Sequence, residues 1–329
     1  MDKAEATEHT AVIRTEGLTK RFDDVVAVDA ITFEVPAGQI FGLIGPSGCG
    51  KTTTVRLLTG VYRPTKGRAI VLGAEPSHFS NAMRARIGYM PQQSVLYPSL
   101  SVWENLRFAA SVYGVDPFDN QKLFDVLTFV EMEAHRHKQV SDISGGMRRR
   151  LSLAASLVHE PTLLFLDEPT GGVDPVLRRK FWNHFESLRD EQRTLFVTTQ
   201  YVGEAAHCDL VGVMMTGKLM VVDTPDGLRR RAFDGETINV RSKHPLSYSA
   251  TQDLREVAGI RRVIRIGDAD FRLVVDAAST VTPRIMNWAE AYDVEIQSVK
   301  EYKPPFDDVF VRLIEGNSGS EAGEEDSDD

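Results

Sequence analysis

The chain has 329 residues, 42% of them hydrophobic and 26% charged, a length that suits about two domains plus a tail. Its net charge is −9, but residues 317–329 (NSGSEAGEEDSDD) carry six acidic and no basic side chains, which leaves −3 for the rest. This near-neutral body argues against a nucleic-acid-binding stripe. No apolar run approaches the roughly 18–20 residues of a membrane span, and the polar start MDKAEATEHT is no signal peptide.

In chain order, QIFGLIG (39–45) is a short apolar strand leading into a glycine-rich loop. TTTVRLLTG (52–60) follows as a helix ending at Gly60. Residues 93–160 read as an inserted helical subdomain. SVWE (101–104) has the Ser-x-x-Glu form of a capping box, and Leu106, Ala109, Ala110 and Tyr113 recur at helical spacing. TLLFLDEP (162–169) and TLFVTT (194–199) are further buried strands. Apolar strands separated by helices predict a parallel sheet covered on both faces. Beyond about residue 232 the predicted order is strand-helix-strand-strand-helix-strand, a small α+β, ferredoxin-like domain over 232–315. Residues 316–329 are expected to be a disordered acidic tail. Cys49 and Cys208 have neither metal-ligand nor redox spacing and are expected to be free thiols.

Three motifs carry chemistry. GPSGCGKT (45–52) fits G-x-x-x-x-G-K-[ST] between a strand and a helix. Gly45, Gly48 and Gly50 let the main chain curl so that its N–H groups, with the following helix N-terminus, stabilise phosphate. Lys51 reaches the outer phosphates as a point charge, and the Thr52 hydroxyl can ligate Mg²⁺. LLFLDE (163–168) ends an apolar strand in adjacent carboxylates. Asp167 is placed to hold Mg²⁺, and Glu168 to polarise an attacking water as general base. SGGM (144–147) opens a helix with two glycines, leaving N–H groups for an anion with the helix dipole behind them.

With these motifs in order, residues 12–230 resemble an ABC ATPase, an α/β P-loop fold. In that resemblance GPSGCGKT is the Walker A loop, with Pro46, Ser47, Cys49 and Thr53 also at the nucleotide. GYMPQQ (88–93) is the Q-loop, whose Gln92 senses Mg²⁺ and water. ISGGM (143–147) is the signature, with Ser144, Gly145 and Gly146 as nucleotide contacts. LLFLDEP is Walker B with its glutamate, and GGVD (171–174) is the D-loop carrying Asp174. Phe22, in KRFDD, lies where the family places an aromatic under adenine. The resemblance implies ATP and Mg²⁺, a second ATPase subunit and a transmembrane permease. The second subunit is expected to be identical, with a different one as the alternative. The location implied is peripheral, on the cytoplasmic face of the membrane. SGGMRRRLSLAASLV, DEPTGGVDP, TTQYVGEA and PPFDDVFVRL (304–313) further resemble the drug-exporting subfamily that includes the daunorubicin-resistance ATPases. Export is therefore expected, with an importer ATPase or a soluble ABC ATPase as the alternative. Tyr97, Leu100 and Trp103 are candidate permease contacts.

Two positions depart from the family pattern. Met147 stands where a glutamine is usual, and Gln200 where a switch histidine is usual. Glutamine still donates a hydrogen bond but carries no proton charge near neutral pH. Gln200 is expected to serve as a neutral partner to Glu168, the alternative being an impaired subunit that works beside a more active one. Cys49, near a helix N-terminus, is read as a small residue in a tolerant loop position. Arg148, Arg149 and Arg150 are expected to form a solvated or interdomain face, and His207 and Cys208 to be helix-end residues.

Overall fold

The structure is a computed structural model and describes residues 11–321. Strands β1 (Ala11–Phe22) and β2 (Val25–Pro36) form an antiparallel hairpin with several register shifts. β2 alternates from Ile31, burying Ile31, Phe33 and Val35, and also buries Val28 across a register shift. Strand β3 (Ile40–Ile44) is buried throughout and feeds the glycine-rich loop that opens helix α1 (Lys51–Leu58). Strand β4 (Lys66–Val71) pairs antiparallel with β1, completing a three-stranded sheet in the order β2-β1-β4.

The chain then passes through the short helix α2 (Asn81–Arg84) and strand β5 (Ile87–Met90) into the helical insertion. Its helices are α3 (Val102–Val112), α4 (Asn120–Phe129) and α5 (Gly145–Leu157). Ser101 and Glu104 close both bonds of the predicted capping box on α3. Strand β6 (Leu163–Asp167), helix α6 (Pro175–Asp190), strand β7 (Thr194–Thr199) and the hairpin of β8 (Leu210–Met215) with β9 (Lys218–Asp223) complete this part. The second sheet has the order β5-β6-β7-β3-β8-β9. Its β5, β6, β7, β3 and β8 run parallel, as their apolar runs predict. Stacked rings of Phe33, Phe41 and Phe196 join the two sheets in one core.

The chain divides into two compact units, ending and beginning at Val222 and Asp223. Helix α7 (Pro225–Phe233) therefore falls in the second unit, although the sequence boundary near 230–232 assigns most of it to the first. The reason is its bonding. Arg229 Nε donates to the Pro304 carbonyl, and Asp226 accepts from Arg229 and Lys303. The second unit continues with β10 (Glu236–Ser242), α8 (Tyr248–Arg255), β11 (Ile260–Arg265), β12 (Asp270–Val275), α9 (Ala278–Ala291) and β13 (Ile296–Glu301). This is the expected element order, and its four-stranded sheet has the order β11-β12-β10-β13 with every neighbour antiparallel. Helix α10 (Phe306–Glu321) runs into the segment expected to be unstructured from residue 316. Residues 322–329 of that tail lie outside the described residues. Among the described residues, no helix is long and apolar enough to cross a membrane.

Candidate functional site

The site lies where the parallel strands β3, β6 and β7 end. The 45–50 loop is shaped by contacts that admit no side chain. A Cβ at Gly45 would meet the Met214 carbonyl oxygen at 2.2 Å, and one at Gly50, which has φ +109°, the Ala27 carbonyl oxygen at 2.3 Å. The loop is held from behind by the turn of the β8–β9 hairpin, where the Gly217 N–H donates to the Cys49 carbonyl (3.0 Å). Pro46, Ser47 and Gly48 stay exposed, whereas Cys49 is buried. Burial pushes the Cys49 thiol up, against the opposing pull of Lys51. The residue is thus a small loop filler, as its sequence context suggests, and no activated nucleophile.

Lys51 opens α1 and is buried. Its Nζ donates to the carbonyls of Gly45 (2.8 Å) and Pro46 (2.9 Å) and lies 3.6 Å from Glu168 Oε1. A desolvated ammonium among carbonyls is poised to exchange these neutral acceptors for anionic oxygens. Thr53, half-buried, sits on the same first turn.

Strands β6 and β7 set the acidic half. Asp167 closes β6, fully buried, and its Oδ1 accepts from Thr52 Oγ1 (3.1 Å) and Thr198 Oγ1 (2.6 Å). Its Oδ2 is buried without a hydrogen-bond partner, which a carboxylate oxygen tolerates poorly unless it serves a cation. Among the described residues no cluster of three or more His, Cys, Asp or Glu is placed around a metal. The donor set of Thr52, Asp167 and Gln92 instead offers one carboxylate with neutral oxygens. That suits Mg²⁺, which keeps water and phosphate oxygens as its other ligands.

Glu168 has φ +47°, a left-handed conformation that a non-glycine residue rarely adopts. Its N–H donates to both the carbonyl and the Oγ1 of Thr198, each at 3.0 Å. The turn aims the side chain so that Gln92 Nε2 donates to Glu168 Oε2 (3.0 Å). Three residues far apart in sequence, Lys51, Gln92 and Glu168, thus meet at one carboxylate, as their motifs imply. Gln200 stands exposed just past the end of β7.

The remaining expected residues lie apart from this centre or have structural partners. Ser144 is the N-cap of α5, its hydroxyl accepting from the Met147 N–H (3.2 Å), and it is exposed with Gly145. A Cβ at Gly146 would meet Leu177 Cδ2 at 2.8 Å. Asp174 caps α6, its Oδ1 accepting from the N–H groups of Val176 (2.9 Å) and Leu177 (3.0 Å). Those bonds hold its carboxyl below the usual carboxylate range. Phe22 is 38% exposed and meets the Tyr62 ring edge-on at 5.2 Å, with Lys20 Nζ 4.9 Å from its centre. His207 stacks on Trp182 and bonds Glu186.

Sequence reasoning missed two residues. Thr198 supports both acids from β7, and its only sequence sign is a hydroxyl at the end of an apolar strand. Arg149 is not on a solvated face. It is buried in α5, and its guanidinium donates to five main-chain carbonyls. Nε reaches Pro169 (3.0 Å), Nη1 reaches Pro91 (3.3 Å) and Gln92, and Nη2 reaches Asp167 (3.4 Å) and Glu168. The sign was its helical spacing to Ser152, Leu153 and Ser156, which share the buried side of α5. Arg148 is exposed as expected, while Arg150 is half-buried and bonds the Glu131 carbonyl.

The likeness to known proteins follows these features. A family model described as "ABC transporter" matches residues 28–171. The chain is 41% identical over 233 residues to the "Probable multidrug ABC transporter ATP-binding protein YbhF" of Escherichia coli (strain K12), covering 70% of this chain. It spans 40% of that relative's length. It is 37% identical over 221 residues to the "Nod factor export ATP-binding protein I" of Cupriavidus metallidurans, covering 67% of this chain and 73% of the relative. A solved "Structure of ATP binding subunit of ABC transporter" matches in fold with a TM-score of 0.61 at 24% identity, covering 67% of this chain and 92% of that one. The phosphate-loop lysine, the paired acids at the end of β6 and these relatives agree, and the chain belongs to the ABC transporter family of ATP-binding, Walker-motif ATPases.

Proposed function

We propose that this chain binds and hydrolyses ATP to drive export through a separate membrane permease. The observation that carries the hydrolytic half is the convergence of Lys51 and Gln92 on Glu168, beside an Asp167 oxygen that lacks a partner. Lys51 and the N–H groups of residues 45–53 bind the phosphates, with Pro46, Ser47 and Gly48 at the open face of the loop. Mg²⁺, held by Thr52, Asp167 and Gln92, would offset charge on the outer phosphate oxygens. Glu168 takes the proton of the attacking water. Gln200 completes the site as a neutral hydrogen-bonding partner, and Phe22 stacks on the adenine.

The exposed Ser144 and Gly145 at the start of α5 favour a second copy, whose nucleotide they would cover; Asp174 lies on the same interface. Met147 leaves main-chain N–H groups and Ser144 to do this without a side-chain amide. An apolar groove of about 350 Å³ between the Q-loop and the helical insertion supports permease docking. Tyr97, Phe108 and Val112 line it and are exposed. Leu100 and Trp103 are half-buried and do not line that groove, so Tyr97 is the strongest of the three expected contacts. The two relatives, a probable multidrug transporter subunit and a Nod factor export subunit, support export, as does the resemblance to the drug-exporting subfamily. The element order of residues 236–301 supports a ferredoxin-like C-terminal domain.

The test uses the full chain recovered from membranes in detergent with its bound proteins. A co-purifying membrane-spanning subunit and Mg²⁺-dependent ATP hydrolysis are expected. Glu168→Gln should cut turnover by at least about 100-fold while ATP binding stays within a few fold. Recovery only as a soluble complex with ribosomes or DNA would sink the transporter reading. Unchanged turnover in Glu168→Gln would sink the assigned base.

A further inference from the structure

Glu168 is held in its left-handed turn from both ends of its peptide unit. Thr198 accepts from its N–H, and Arg149 donates to its carbonyl. The same guanidinium donates to the carbonyl of Gln92, whose side-chain amide in turn donates to the Glu168 carboxylate. One planar fork thus closes a loop between two segments 76 residues apart in sequence. Arg149 is 7% exposed, and all five of its acceptors are main-chain carbonyls. A buried cation given only neutral acceptors is costly to retain, so a hydrophobic residue of similar volume would serve packing better. Asp167 and Glu168 offset part of that cost through space.

We propose that Arg149 is a positioning residue for hydrolysis. It fixes the angle at which Glu168 leaves β6 and ties that angle to the position of Gln92. It stands on α5, the helix whose N-terminal end is Ser144, Gly145 and Gly146. A shift of α5 when those residues meet nucleotide is therefore passed to the Q-loop and to Glu168 through five bonds. Guanidinium geometry is required because its five N–H groups lie in one plane and reach both segments at once. A lysine keeps the charge but offers no planar fork. The inference rests on the ATPase reading above.

The test measures steady-state ATP hydrolysis, binding of ATP without Mg²⁺, and Tm in the full chain. The variants are Arg149→Lys, Gln92→Ala and the two combined. Arg149→Lys should hydrolyse at least about tenfold more slowly while its ATP Kd stays within about twofold, a loss confined to the reacting state. Adding it to Gln92→Ala should cost less than about twofold more, because the two act through one carboxylate. Arg149→Gln, whose amide still reaches one segment, provides the same comparison if the lysine variant does not fold. Turnover within about twofold of wild type, a loss of ATP affinity that matches the loss of rate, or multiplying losses in the double variant would each overturn the positioning role. A wild-type chain that hydrolyses no ATP overturns the ATPase reading itself, and is thereby told apart from a failure of Arg149 alone.

Discussion

Gln200 is exposed at the end of β7, two residues beyond the threonine that bonds both β6 acids. A histidine there would change charge near neutral pH, whereas glutamine stays a neutral donor and acceptor. The role proposed for it in turnover is therefore hydrogen bonding alone. Gln200→Ala is expected to lose at least about 90% of ATPase activity, and Gln200→His to keep most of it, on the scale of one lost charge-assisted bond in the reacting state. Normal hydrolysis by Gln200→Ala would remove the residue from the mechanism. Cys49 illustrates the opposite case, a reactive side-chain type neutralised by its surroundings. Proximity to Lys51 and a helix N-terminus favours thiolate, but the desolvation of a buried sulfur is larger.

At the scale of elements, α3 shows how much a local pattern can specify. Ser101 Oγ accepts from the Glu104 N–H (3.2 Å), and Glu104 Oε2 accepts from the Ser101 N–H (2.7 Å). Ser101→Ala is expected to cost about 1 kcal/mol in denaturant unfolding, and no change would mean that water replaces the cap fully. The capping box, the buried parallel strands and the phosphate loop were legible because each is written in neighbouring residues. The β2-β1-β4 sheet was less so. β2 alternates only from Ile31 onward, and register shifts near Thr15, Leu18 and Lys20 of β1, one of which puts an extra residue between Val28 and Ile31 of β2, break the two-residue period. Helix α7 was not legible as part of the second unit, because its allegiance is set by Lys303 and Pro304, far along the chain. The acids of the site were legible by residue type, while their supports were not. Thr198 and Arg149 act through main-chain atoms of distant segments, and no local pattern records which carbonyl a guanidinium will find.

Over the molecule as a whole, the buried His159 and the half-buried His184 couple folding to pH. His159 stacks on Tyr113 with ring centres 3.7 Å apart, and its Nε2 lies 3.0 Å from the Ile87 carbonyl. His184 packs against Phe129 at 4.5 Å. Burial is the largest influence on each and pushes both imidazoles below their ordinary range. Protonation therefore favours the unfolded chain, where histidine titrates near about 6.5. Their contribution to stability is complete above that value and is lost as pH falls through it towards the lower folded values. Tm is expected to drop between pH 7.5 and 5.5, and less steeply in His159→Phe, which keeps an aromatic stack without a proton to gain. Equal slopes for the variant and wild type would exclude His159 as a contributor.

The left-handed turn at Glu168 has one further consequence. The main-chain bonds that hold it are made by its own N–H and carbonyl, with Thr198, Arg149 and Gly171 as partners. The backbone shape is thus independent of the chemical group it displays. Reactivity and architecture can vary separately at this position. A silent copy carrying an amide in place of the carboxylate would keep the same silhouette as an active one and compete with it for the same berth.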